Sequence, residues 1–365
     1  PEAVVDVGLR TEPNLERIAA LEPDVILASD LDPAQVAQLN RIAPILVFDA
    51  WAADHDNDVS LTATGLGSNL KTNDIRTDSG NSISVDASAV DGTVTLGDLL
   101  VEKNSDEALT GEVTVNLNGT GDTVYIGDGA DDDIRADTVN VKASGMLGQL
   151  DNGSGNKIDI EAVSANITGP DTSSSYFDVS AEEIVYTGGT EGDEIRIKGT
   201  DDSDDFVDDD GAYLDITTDL GENTITLNGV TAAEDSEITG DVGTDKIVVE
   251  DDSDLTNAAL SNIENIELAE DDESYAANLT ITGAQFDSFL SDGVTWDDTG
   301  ADSTLTVEVG EDLDLTEQTL PTTIDTINYE LADGVALTVT AAQVDGDGMD
   351  DVGEATEADA TVNVT

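Results

Sequence analysis

Asp345, Asp347, Asp350, Asp351 and Glu354 fall within the stretch DGDGMDDVGE, where acids alternate with glycines and no cation intervenes. Calcium takes roughly six to eight oxygen ligands, and a short loop supplies them by spacing carboxylates around glycine bends. The stretch therefore predicts a calcium loop. A second candidate is GDGADDD, where Asp128, Asp131, Asp132 and Asp133 lie between the apolar runs TVYI and IRADTVNV. The run GTDDSDDFVDDDG carries Asp201, Asp202, Asp204, Asp205, Asp208, Asp209 and Asp210 without ordered spacing, and reads as a solvated loop. The plainer reading applies to every such cluster, because acids are everywhere: 82 Asp and Glu stand against 12 Lys and Arg, for a net charge of −70 over 365 residues.

The composition closes off most other chemistry. His55 is the only histidine and there is no cysteine, so two-histidine zinc sites, thiolate sites and thiol nucleophiles are excluded. A Ser-His-Asp triad would depend on that one histidine. Glycoside hydrolysis needs two carboxylates in defined environments, usually beside aromatic platforms. Trp51, Trp296, Tyr125, Tyr186, Tyr213 and Tyr275 are scattered, and the expectation is that the chain is not an enzyme. Its charge repels nucleic acid and anionic lipid. No membrane-spanning run or secretion signal is visible, and a chain starting at Pro1 reads as a mature form or a fragment.

What must hold these acids in place changes character near residue 57. Residues 1–57 read as α/β: apolar runs VVDVGL, DVILAS and PILVFD alternate with helical patterns in EPNLERIAALEP and DPAQVAQLNRIA, which implies parallel strand pairing. This segment carries eleven acids against three arginines, a net of −8, which leaves −62 for the remainder. The stretch VVDVGLRTEPNLERIAALEPDVILAS, with LNRIAPILVFDAWAADHDN after it, resembles the N-terminal lobe of periplasmic binding proteins that deliver ferric siderophores or cobalamin. The resemblance covers about 57 residues and implies that Arg10, in the loop GLRTEPN, contacts an anionic or hydroxamate ligand.

From residue 58 the pattern is mainly β. A unit of glycine, an acid or amide, a spacer and alternating β-branched residues recurs as GNSISV at 80, GDTVYI at 121, GNKIDI at 155 and GDEIRI at 192. Looser copies are GENTITL at 221 and GTDKIVV at 243. Glycine permits the positive φ of a tight turn, the Asn or Asp caps it, and the alternating aliphatics face one side. The spacing is irregular, so the expectation is a degenerate β-solenoid or a series of tandem β-sandwich modules. The C-terminal third holds a duplication: IENIEL at 263 precedes LTITGAQFD at 279, and IDTINY at 324 precedes LTVTAAQVD at 337.

The glycine units resemble the calcium-binding nonapeptides of repeats-in-toxin β-rolls, and DGDGMDDVGE is similar to the calcium loops of bacterial thrombospondin-type-3 repeats. Over residues 110–345 the chain resembles the β-rich modules of bacterial surface-layer and haemolysin-type secreted proteins. Domains are expected at 1–57, 58–255 and 256–365. The function expected is a non-enzymatic extracellular subunit of a surface layer or filament. Its partners would be copies of itself, and calcium at Asp-rich turns would lock them. The alternatives are a calcium-stiffened adhesin recognising a cell-surface glycan or lipopolysaccharide, and a siderophore-binding fusion. Halophilic acidity, which answers to salt instead of calcium, is a rival cause of the charge.

Overall fold

A computed structural model describes residues 7–9, 12–23, 26–29, 33–43, 45–48, 58–64, 69–102, 109–118, 120, 123–127, 133–146, 149–152, 157–171, 174–199, 211–269, 276–299, 303–344 and 360–365. The chain divides into two compact units, Pro1–Tyr176 and Phe177–Thr365.

The N-terminal unit opens with the α/β segment. Asn14 caps helix Leu15–Ala19 by accepting from the Arg17 amide at 3.0 Å. Strands Ile26–Ser29 and Ile45–Phe48 pair in parallel, with helix Pro33–Leu39 between them, and Ile18, Leu39 and Ile45 form the small core. One expectation needs correcting: Gly8–Leu9 pairs antiparallel with Glu12–Pro13, so the end of VVDVGL folds back on the residues just after it and does not extend the parallel pair. Strand Ile45–Phe48 then receives Val59–Thr64 in antiparallel register, which joins the α/β segment to the β region.

The remaining strands stack in parallel, in register and one rung apart, which is the solenoid and not the sandwich series. In the N-terminal unit Val59 lies beside Ile83, Ile83 beside Val113, Val113 beside Val139 and Val139 beside Ala165. In the C-terminal unit Glu194 pairs with Thr224, Thr224 with Lys246, Lys246 with Asn265, and Asn265 with Thr295, steps of 30, 22, 19 and 30 residues. Strand register is kept while the connections vary in length, and this is why the sequence period is irregular. The inward positions are consistent: Ile195, Ile225, Ile247 and Ile266 are at most 1% exposed, while their sequence neighbours are half-buried, apart from Thr226 and Val248, which are buried too. Each such inward aliphatic contributes roughly 1.5–3 kcal/mol by burial.

All six glycine units open strands, at Ile83, Val124, Ile158, Glu194, Thr224 and Lys246. The reason for the glycine is twofold. Gly80 has φ +91 with open space around it, so it is there for its backbone conformation. Gly243 is different: a Cβ on it would sit 1.6 Å from the carbonyl oxygen of Gly221 on the adjacent rung, so it is there for close backbone approach.

The duplicated module is physically real. Thr282 and Gln285 form a reciprocal capping box at the start of helix Gly283–Asp292, and Thr340 and Gln343 repeat its bonds at helix Ala341–Val344. Each glutamine also reaches across to the preceding turn. Gln285 Nε2 donates to the carbonyls of Leu255 and Ala258 at 2.8 and 2.7 Å, and Gln343 Nε2 to those of Leu315 and Gln318 at 2.6 and 3.0 Å. Gln285→Ala would remove the glutamine half of the capping box and its bonds to the Leu255 and Ala258 carbonyls, for an expected loss of about 2 kcal/mol in urea unfolding. A loss no larger than that of an exposed surface alanine would show that the latch is idle.

Candidate functional site

Most of the residues singled out for chemistry lie outside the described residues: Asp345, Asp347, Asp350, Asp351, Glu354, Asp128, Asp131, Asp132 and Arg10. Asp133 is described. It is fully buried, and its Oδ2 accepts from the Asp159 amide at 3.0 Å. It stands one residue before strand Ile134–Lys142, in a column with Asp74, Asp98 and Asp159, since Ile75, Leu99, Ile134 and Ile160 are register partners. Asp74 accepts from the Asp98 amide at 3.4 Å, so a side chain links the first pair of rungs in the column as Asp133 links the last.

The C-terminal unit repeats the device. Asp193, Asn223, Asp245 and Glu264 each precede a strand of the same stack. Asn223 Oδ1 accepts from the Asp193 amide at 2.9 Å, and Asn223 Nδ2 donates to Asp245 Oδ1 at 2.6 Å. Thr218 Oγ1 donates to the same oxygen at 3.2 Å, the Asp241 amide donates to Asp245 Oδ2 at 3.1 Å, and Glu264 Oε2 accepts from the Asp245 amide at 2.8 Å. The sequence shows that an acid or amide caps each turn; it does not show that the side chain also bonds the neighbouring rung. The three buried carboxylates of these columns, Asp133, Asp193 and Asp245, accept from donors of the chain itself and so brace the corners.

The outward carboxylates are a different population. In the C-terminal unit the cations are Arg196, Lys198 and Lys246. Arg196 pairs with Glu250 at 2.7 Å and Asp178 at 3.4 Å, Lys198 with Asp178 at 3.2 Å, and Lys246 with Glu267 at 2.8 Å. Every cation of this unit is thus already engaged. Other acids sit side by side: Glu308 and Glu330 are register partners, and both line a groove of about 650 Å³ with Asp287, Val309, Leu313 and Leu331. Burial, then the charges of Asp254 and Glu330, hold the Glu308 carboxyl above its ordinary pKa. Among the described residues no group of three or more His, Asp or Glu is arranged to hold a metal ion.

The aromatic residues are less scattered in space than in sequence. Phe286 meets Trp296 and Tyr329 edge to face, with ring centroids 5.9 and 6.1 Å apart, and Phe289 meets Trp296 at 6.0 Å. Phe286 and Phe289 are on the buried face of helix Gly283–Asp292 and Trp296 and Tyr329 are buried against them, so the four form core and not a platform for a sugar.

These features meet few counterparts among known proteins. No family model matches the chain, and no solved structure gives a significant match. A probable siderophore-binding lipoprotein, YfiY of Bacillus subtilis strain 168, is 36% identical over 66 residues. That is 18% of this chain and 20% of the lipoprotein, so the chain spans about a fifth of its relative. Among the described residues no helix is long and apolar enough to cross a membrane.

Proposed function

We propose that the chain is a non-enzymatic structural protein of the cell exterior, a surface-layer or filament subunit whose stacked acidic turns are neutralised by calcium. The observation that carries this reading is the charge arrangement of the C-terminal unit. Its cations are already paired, and parallel rungs repeat outward acids at the strand spacing of roughly 4.8 Å, so neutralisation must come from solution. A divalent ion answers two carboxylates at once and is favoured over a monovalent one. Asp345, Asp347, Asp350, Asp351 and Glu354 are the first candidate ligands. The likeness of a short segment to a lipoprotein supports a place at the cell surface.

The test is a thermal melt with light scattering at fixed ionic strength, after chelation, with and without calcium. Saturation to 100 times Kd at one site stabilises by about 2.7 kcal/mol, and several sites stabilise further. A calcium-specific rise in Tm with growth of ordered particles is expected. Equal stabilisation by magnesium or sodium chloride would replace calcium with general salt demand. The lipoprotein match favours a second reading, ligand binding by the N-terminal segment. Titration of a ferric hydroxamate, with Arg10→Ala as control, decides it, and absence of heat from the wild type removes it.

A further inference from the structure

The groove between the start of helix Gly283–Asp292 and the two rungs after it holds charges that nothing in its own unit answers. Its lining runs from Thr282 to Ala332, wholly within the C-terminal unit. The floor is apolar: Val309, Leu313 and Leu331 line it and are largely buried. Along the rim stand Glu308 and Glu330, register partners on adjacent strands and so roughly 4.8 Å apart along the ladder, with Asp287 on the helix. Asp287 keeps one donor, Gln318 Nε2 at 2.9 Å. Among the described residues Glu308 and Glu330 meet neither a donor nor a cation. Asp254 adds a further negative charge near Glu308. Like charges on neighbouring strands oppose the fold, and Arg196, Lys198 and Lys246 are all engaged elsewhere.

A cation from solution would relieve these charges, and their arrangement says which kind. A single metal ion needs oxygens that converge on one point, and among the described residues no group of three or more acids does so. The carboxylates are instead spread along the groove, with aliphatic surface between and beneath them. Charges spread over an apolar floor match an extended cation whose ammonium groups are separated by methylenes. We propose that the groove is a binding site for a linear polyamine. Its ammonium groups would make charge-assisted bonds to Glu308, Glu330 and Asp287, and its methylenes would cover Val309, Leu313 and Leu331. The volume of about 650 Å³ lies in the usual range for small-ligand sites. Gly310 lines the groove as well, and a Cβ added to it would have nothing within 4 Å, so the space beside it is open. This site is separate from the Asp-rich turns proposed for calcium, and each can fail alone.

Equilibrium dialysis with labelled spermidine, at about 0.15 M salt where exposed charges act over roughly 8 Å, tests it. Saturable binding of one molecule per chain is expected. Glu308→Gln with Glu330→Gln should weaken it by at least about tenfold, since two bonds lose their charge. Asp215 and Glu237 are also acidic register partners but lie outside the groove. Asp215→Asn with Glu237→Gln therefore removes the same charge and should change the affinity by less than about twofold. Gly310→Leu keeps every carboxylate and puts a side chain into the open space, and a loss of about tenfold is expected there too. Melting curves that match the wild type show that each variant is folded. Equal weakening by the two charge pairs, or binding untouched by Gly310→Leu, would leave only general attraction between a polycation and an acidic surface and overturns the site. Absence of saturable uptake overturns it as well. Tighter binding of tri-lysine than of spermidine, with the same dependence on Glu308 and Glu330, would make the occupant a basic protein segment and overturns the polyamine assignment.

Discussion

Gly243→Ala is expected to destabilise the C-terminal unit by about 3 kcal/mol, among the largest effects of any single methyl group in this chain. The added carbon would lie 1.6 Å from the Gly221 carbonyl oxygen, a backbone atom that cannot rotate aside. Relief requires the rungs to part, and parting them strains the bond from the Thr244 amide to that same oxygen, 3.2 Å long in the native stack. Gly334→Ala is the control. Gly334 has φ +75 with nothing within 4 Å of the added carbon, so the cost there is conformational only, about 1 kcal/mol. Urea unfolding followed by tryptophan fluorescence measures both. Equal losses at the two positions would mean that backbone approach is not why glycine stands at 243.

The second large effect is expected at Asp245. Its carboxylate is fully buried and accepts from Asn223 Nδ2, Thr218 Oγ1 and the Asp241 amide. Asp245→Ala removes an acceptor shared by three donors, of which Thr218 Oγ1 and Asn223 Nδ2 keep the carbonyls of Thr239 and Asp219, and a loss of about 2–4 kcal/mol follows. Asp245→Asn keeps one acceptor but turns an amide N–H toward another donor, so a smaller loss is expected. Asp333→Ala, at an exposed turn, should change stability by less than about 0.5 kcal/mol. If Asp245→Ala were as mild as Asp333→Ala, the ladder of corner side chains would be incidental to stability.

Much of the fold was legible because its signals are local. The alternation in GDEIRI and GTDKIVV places Ile195, Ile197, Ile247 and Val249 inside, as found. The helices beginning near Leu15 and Pro33 follow from their periodicity, and the mainly β character follows from composition. The duplication at LTITGAQFD and LTVTAAQVD is a repeat of structure as well as of letters, because Thr and Gln three apart form a capping box in each. What lay beyond reading is what depends on the neighbouring rung. Asn223 is 30 residues from Asp193 and 22 from Asp245, and nothing local says that its amide joins them. The role of Gly243 is hidden for the same reason: only the stacked partner reveals that there is no room. Trp296, Phe286 and Tyr329 look scattered along the chain because three separate rungs bring them together. Of the candidate calcium residues, the one described, Asp133, turns out to brace a corner, and its burial could not be told from an acid-rich string.

In a stack where each rung leans only on its neighbours, resistance to opening is a chain of nearest-neighbour terms and not one shared core. The corner side chains make those terms unequal: the rungs that begin after Asp193, Asn223 and Asp245 are joined by side-chain bonds as well as by the strand ladder. Loaded along its strands, such a body would yield first between rungs that lack a corner bond, and it behaves as a graded spring whose stiffness is set at its turns.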